Sequence, residues 1–190
     1  MRASIPAPGL FPNLEPTLTM SRVWAMPSAD TLSIPPISDF VERWLKGTAV
    51  VVDPFARDSM VGTIRNDLNP ETRAQYHEDA VAFLDRLIVE GVTADAAILD
   101  PPYSPRQIAE CYSQVGRERK GMEDTQHPRL ISACRDRVAQ IVRPGGCVLS
   151  FGWNSGGMGT VRGFALREIV LVAHGGSHND TICVAEVRVA

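Results

Sequence analysis

The chain has 190 residues and a mass of 20.7 kDa, with 44% hydrophobic and 22% charged residues, which is ordinary globular usage for one domain and excludes pervasive disorder. No apolar run approaches the roughly 20 residues of a membrane-spanning helix, and residues 1–20 lack the charged-then-apolar layout of a signal peptide. The net charge is −3 and the pI is near 5.8, which excludes a chain that clings to nucleic acid by bulk charge and leaves only a local or assisted contact.

Seven of the fourteen prolines lie within the first 36 residues, so residues 1–20 read as a proline-rich extended arm and residues 21–190 as a single domain. A first helix starts with Ser38 as N-cap, carries Phe40, Val41, Trp44 and Leu45 on one face, and stops at Gly47. Residues 49–52 make a short buried strand ending at Asp53, and residues 61–65 a second one ending at Asn66 and Asp67. Ala80, Val81, Leu84, Leu87 and Ile88 mark a helix stopped by Gly91. Residues 96–99 form a third strand, ending at Asp100. Ser104 caps and Pro105 opens the next helix, with Ile108, Tyr112 and Val115 inward. A longer helix carries Leu130, Ile131, Cys134, Val138, Ile141 and Val142, and Pro144-Gly145-Gly146 turns the chain into a strand over residues 147–151. Residues 166–173 and 181–189 close the chain as two strands joined by a turn. This alternation predicts an α/β fold with a mainly parallel twisted sheet and a C-terminal antiparallel hairpin. Cys111, Cys134, Cys147 and Cys183 fall at apolar positions without a CxxC pair, which reads as core filling and suits a reducing, cytoplasmic setting.

Ligands bind at the carboxyl ends of the strands in such sheets, and the polar clusters lie there: Asp53, Asp67, Asp100, Trp153-Asn154 and the turn over residues 174–180. Asp100-Pro101-Pro102-Tyr103 is the most informative tetrad. Its prolines stiffen the backbone and remove two N–H donors while leaving carbonyl acceptors. A carboxylate and a rigid proline carbonyl can hold the two hydrogens of an exocyclic amine and aim its lone pair. A tyrosine beside them offers a flat face to a nucleobase.

Six stretches carry a resemblance in one order: Ser21-Arg22-Val23-Trp24-Ala25-Met26-Pro27, Asp53-Pro54-Phe55-Ala56, Asn66-Asp67-Leu68-Asn69-Pro70, Asp100-Pro101-Pro102-Tyr103-Ser104-Pro105-Arg106, Ser150-Phe151-Gly152-Trp153-Asn154-Ser155 and His174-Gly175-Gly176-Ser177-His178-Asn179-Asp180. In these the chain resembles the S-adenosylmethionine-dependent amino-methyltransferases of the DPPY class, and within them the small N6-adenine DNA methyltransferases of phages and mobile elements. The resemblance implies a class I, Rossmann-like methyltransferase fold, S-adenosylmethionine (SAM) as cofactor, and methyl transfer to the N6 amine of adenine in DNA. It implies that Asp53, Pro54, Phe55 and Ala56 start the cofactor loop and meet the methionine part of SAM. Asn66 and Asp67, at the end of the second strand, would bind the cofactor, with Asp67 accepting from the ribose hydroxyls. Asp79 with Ala80 would address the cofactor adenine, and Trp24, Ala25, Met26 and Pro27 would cover the cofactor. Asp100 and the Pro101 carbonyl would hold the target amine, Pro102 would stiffen the clamp, and Tyr103 would stack on the flipped base. Transfer would be direct displacement at the sulfonium methyl, with no covalent enzyme intermediate, catalytic cysteine or metal.

On the substrate side, Trp153 and Asn154 would border the pocket, and His174, His178 and Asn179 would contact the base or its backbone. The turn that holds them is otherwise a self-bonded turn, and its two histidines and Asp180 make an incomplete metal set. Arg106 belongs to residues 104–137, where seven bases outnumber five acids. That segment reads either as phosphate contact or as a solvated helix face. The implied partners are DNA and either a second copy of the chain or a specificity subunit, with no membrane.

Three departures from the family pattern stand out. The loop Asp-Pro-Phe-x-Gly-x-Gly is replaced by Asp53-Pro54-Phe55-Ala56-Arg57-Asp58-Ser59, with no glycine before Gly62, which implies a different loop course. Only eight residues, 53–60, precede the second strand, and residues 69–73 are too few for a full helix, so the helices after the first two strands are missing or reduced to turns. That would leave a sheet face for the arm or a second subunit to bury. Nothing is long enough for a separate target-recognition domain, and the run 152–159 lacks the Gly-Lys-Ser/Thr ending of a phosphate loop. Another exocyclic amine, cytosine N4 or one in an RNA base, fits the same clamp. The rival reading is a non-catalytic subunit that binds SAM or nucleic acid. The glycine-free loop and negative charge favour it, and the intact tetrad argues against it.

Overall fold

The computed structural model describes residues 18–102, 127–176 and 178–189. Seven strands form one sheet: β1 (Thr19–Trp24), β2 (Val51–Asp53), β3 (Ile64–Arg65), β4 (Ala94–Leu99), β5 (Val142–Gly152), β6 (Phe164–Ala173) and β7 (Thr181–Arg188). Their spatial order is β1-β6-β7-β5-β4-β2-β3. All strands run one way except β7, which lies antiparallel between β5 and β6. The mainly parallel sheet with a closing antiparallel pair is therefore present.

Period-two alternation in the buried strands feeds two apolar layers. Ala96 and Ile98 face one side with Leu149, Val170 and Val172, and there α1 (Pro35–Leu45) buries Ile37, Phe40 and Val41. Ala97 and Leu99 face the other side, under α2 (Ala80–Val89) with Phe83, Leu84 and Leu87, and α3 (His127–Ile141) with Cys134 and Val138. Phe40 meets Phe151 edge to face at 6.1 Å. The cysteines among the described residues, Cys134, Cys147 and Cys183, are free and buried, and burial pushes their thiols up to about 12, 11 and 12. They fill core, as the sequence indicates.

The first helix begins at Pro35, three residues before the expected cap. Pro35 and Pro36 occupy its first turn, where an N–H has no acceptor to lose, and the Ser38 N–H already bonds the Ile34 carbonyl at 2.9 Å. Its last turn is tied to the sheet by Glu168 of β6, which accepts from Arg43 through both oxygens at 3.1 Å and from the Trp44 indole at 2.7 Å. Burial pushes the Glu168 carboxyl upward, but these hydrogen bonds outweigh it and hold the group below its ordinary value.

At the amino ends of the strands, pairing jumps from Ala94↔Val142 to Ala96↔Cys147, so residues 143–146 bulge opposite Asp95. The Pro144-Gly145-Gly146 turn is thus a bulge within β5. A Cβ on Gly146 would lie 2.6 Å from the Asp95 carbonyl. The Asp95 carboxylate accepts from the Val50 N–H, Arg143 and the Ala49 N–H, which together hold it at about 2.

The strand β1 was not expected. It begins at Thr19, inside the stretch read as an arm, and pairs parallel with β6 from Thr19↔Glu168 to Trp24↔Ala173. As an edge strand it leaves Met20 and Trp24 exposed. Residues 54–63 and 66–79, after β2 and β3, hold turns, bends and one isolated bridge between Asn66 and Tyr76 but no helix, so the helices expected to be reduced are reduced. The helix expected from Ser104, and Cys111 within it, lie outside the described residues. Among the described residues no helix is long and apolar enough to cross a membrane.

A candidate active site at the carboxyl ends of the strands

The carboxyl ends of β2 to β6 open into one cleft of about 790 Å3. After β2 come Pro54 and Phe55; after β3, Asn66 and Asp67; after β4, Asp100, Pro101 and Pro102; after β5, Trp153; after β6, His174. Pro27, Ser28, Ala29 and Thr31 form one wall, Asp79 and Ala80 at the start of α2 another, and His178, Asn179 and Thr181 a third. A neighbouring space of about 80 Å3 is lined by Asp53 and Ala56, with Thr31, Phe55, Arg57, Asp58 and Asp100 shared between the two.

Asp53 is 1% exposed, and its carboxylate accepts from the Phe55 N–H at 3.1 Å. Burial raises its pKa to about 8, the Phe55 N–H partly offsets this, and the charges of Asp100 and Asp67 push it further up against a smaller pull from Arg65. Gly62 packs against it, since a Cβ there would stand 2.7 Å from the Asp53 Cβ.

The loop after β2 is held by side chains where the family pattern relies on glycine. Arg57, at the first glycine position of that pattern, has φ +49° and is the one non-glycine residue with positive φ among the described residues. Its N–H bonds Asp67 Oδ2 at 3.0 Å, and its guanidinium Nη1 donates to the Ala29 carbonyl at 2.7 Å. Asp67 Oδ1 also takes the Asn69 N–H at 2.9 Å, so one carboxylate ties two loops.

Several expected ligand-binding side chains are engaged in structure. Asn66 is fully buried, and its amide donates to the Pro54 and Glu78 carbonyls at 3.2 and 3.0 Å while accepting from the Glu78 N–H at 2.9 Å. It staples the three segments that bound the cleft. Asp79 caps α2 through the Val81 N–H at 2.9 Å. His174 is buried with both ring nitrogens occupied, Nδ1 at 2.9 Å from the Ala25 carbonyl and Nε2 at 2.9 Å from Thr181 Oγ1. It pins the end of β1 to the sheet instead of offering a free imidazole to the cleft. Asn154 accepts from the Gly156 N–H at 2.9 Å in its own turn and does not line the cleft.

Of the early segment, only Pro27 lines the cleft. Ala25 is in the core, and Trp24 and Met26 are exposed. Tyr103 and Arg106 lie outside the described residues. Among the bases of residues 104–137, Arg137 is committed to Asp85 at 2.7 Å and Arg129 is exposed.

Sequence reasoning missed Arg57, Asp58, Glu71 and Glu78 as lining residues. It also missed Glu186, a buried carboxylate of β7 that accepts the N–H groups of Met158 and Gly159 and so fixes the loop after Trp153. A charged residue amid the apolar run of β7 was the available signal for Glu186.

No protein-family profile matches this chain, and no curated protein does. Among solved structures it is similar to NSun6 from Pyrococcus horikoshii, solved with SFG, at 15% identity over 80% of this chain and 52% of that one, with a TM-score of 0.54. It is similar to TrmN from Thermus thermophilus at 16% identity over 82% and 49%, with a TM-score of 0.53. A third structure, SMU.776 complexed with SAH, matches at 10% identity over 78% and 47%, with a TM-score of 0.52. The chain has the class I methyltransferase fold. It spans about half the length of these solved structures.

In this class I methyltransferase fold the cleft carries a distinctive charge. Asp58, Asp67, Glu71, Glu78, Asp79 and Asp100 line it, and Arg57 is the only lysine or arginine among the described lining residues. Such a lining attracts a cationic ligand and repels phosphate.

Proposed function

We propose that the cleft binds SAM and that the protein transfers its methyl group to the N6 amine of adenine in DNA. The observation that carries this reading is the position of Asp100-Pro101-Pro102 on the cleft wall, at the carboxyl end of β4, in a sheet of class I methyltransferase order. The residues present suit the cofactor: the cleft is within the usual size range for a nucleoside-sized ligand, and its carboxylates suit a sulfonium cation. SFG and SAH in two of the similar structures support the same choice.

When bound, SAM supplies a sulfonium methyl open to direct displacement by nitrogen. The chain's task is alignment. Asp100 and the Pro101 carbonyl accept the two hydrogens of the target amine, which directs its lone pair, and Asp100 takes the proton that nitrogen loses as it gains the methyl. Asp67, Asp79, Ala80 and Phe55, which line the cleft, serve the cofactor. Tyr103 has the role of stacking on the base, and Trp153, His178 and Asn179 of the cleft lining serve the substrate. Because the acidic cleft repels phosphate, the base enters flipped out and the DNA backbone stays outside, against basic residues of 104–137 such as Arg106.

Asp100→Ala tests the assignment. It should abolish methyl transfer while leaving SAM binding within a few-fold of the unaltered chain. Equal loss of both would place Asp100 in cofactor binding or in the fold and overturn its role as the amine clamp.

A further inference from the structure

We infer that Arg57 is the residue that receives the carboxylate of the cofactor's amino-acid end. This rests on the reading of the cleft as a SAM site. An amino-acid group brings a carboxylate as well as an ammonium, and a carboxylate entering among Asp58, Asp67, Glu71, Glu78, Asp79 and Asp100 is repelled unless a cation meets it. Arg57 is the only arginine or lysine among the described lining residues.

Its guanidinium is positioned for the task. Nη1 is anchored on the Ala29 carbonyl at 2.7 Å, which fixes the side chain between the loop after β2 and the wall formed by Pro27, Ser28 and Ala29. That contact uses one of the five N–H donors of an arginine and leaves the planar fork for a carboxylate. The backbone adds an independent indication. Arg57 holds a left-handed φ of +49°, at a position where the family pattern has glycine. A side chain carried at such a φ, where glycine would be unstrained, points to use of that side chain. The exposed position of Arg57 puts the amino-acid end of the cofactor at the cleft mouth.

Arg57 could instead serve only as a latch on Ala29, and one experiment separates the two. SAM and decarboxylated SAM differ by the carboxylate alone. Their affinities are measured by calorimetry for the unaltered chain, Arg57→Gly and Arg57→Lys. Glycine accepts the left-handed φ without strain, so the loop is retained, which a thermal melt checks. Arg57→Gly should weaken SAM about tenfold, as expected for loss of one charge-assisted contact. It should leave decarboxylated SAM unchanged or bound more tightly, since a like charge is removed. Arg57→Lys should recover part of the SAM affinity. Equal weakening of both ligands would mean a latch only, and unchanged SAM affinity would mean no contact; either overturns the inference. Failure of the unaltered chain to bind SAM would instead overturn the reading of the cleft itself, and this inference with it.

Discussion

Replacing Asp53 by asparagine should stabilise the protein at neutral pH and remove most of a pH dependence that the unaltered chain carries. The folded carboxyl titrates at about 8 because burial opposes its ionisation, whereas an unfolded aspartate titrates near 3.9. Between those values the folded chain keeps a proton that the unfolded chain releases, so stability is fully present below about pH 4 and is lost as pH rises through 8. At about 1.4 kcal/mol for each pH unit, the loss across that window is on the order of 5 kcal/mol. Solvent screening does not reduce it much, because Asp53 is 1% exposed. Asparagine keeps an acceptor for the Phe55 N–H and cannot ionise. Urea unfolding from pH 5 to 8.5 should show the unaltered chain losing stability with rising pH and Asp53→Asn nearly flat. The lowered carboxyls of Asp95 and Glu168 have the opposite sign, losing their contribution only as pH falls through the acid range, so they do not confound this window. Parallel curves for the two proteins would refute the account of Asp53.

Asn66→Ala should cost about 2–4 kcal/mol in urea unfolding, because it strips a buried amide that satisfies two carbonyls and one N–H. Asn66→Asp should be worse, since it sets an acceptor against those carbonyls. Arg43→Ala should cost about 1–2 kcal/mol, less than a fully buried pair because Arg43 is 58% exposed while Glu168 is not; Glu168 should then titrate higher, as NMR can follow. Gly62→Ala should destabilise by about 1–3 kcal/mol in thermal melts, because its Cβ would press on Asp53 at 2.7 Å.

The parts of this fold that were legible in the sequence are those with strong periodicity. Phe83, Leu84 and Leu87 recur at helical spacing, and Ala96 to Leu99 form an unbroken apolar run closed by Asp100, so α2 and β4 could be placed from sequence. The strand β1 could not, because it lies at an edge. Only Val23 within it packs against the core, while Met20, Arg22 and Trp24 face outward, so it has no clear alternation of apolar and polar residues. The cleft was legible as a set of strand ends, since residue order and the rule for parallel sheets bring Asp67, Asp79, Asp100 and His178 to one place. What each polar side chain does there was not legible. Asn66 and His174 look like ligands in a sequence, yet Asn66 spends its amide on backbone partners twelve residues away on either side, and His174 its ring on the Ala25 carbonyl, 149 residues away, and the Thr181 hydroxyl. Arg57 was visible as a missing glycine, but not as a left-handed residue held by Asp67 and Ala29.

Methyl transfer from labelled SAM to duplex DNA, single-stranded DNA and RNA in parallel, with the products digested to nucleosides and identified by mass, tests the central claim most directly. The account predicts N6-methyladenine in DNA, abolished by Asp100→Ala. Methyl transfer to cytosine or to RNA alone would contradict the assignment of adenine in DNA, and SAM binding without transfer to any of the three would contradict the assignment of Asp100 as a working amine clamp.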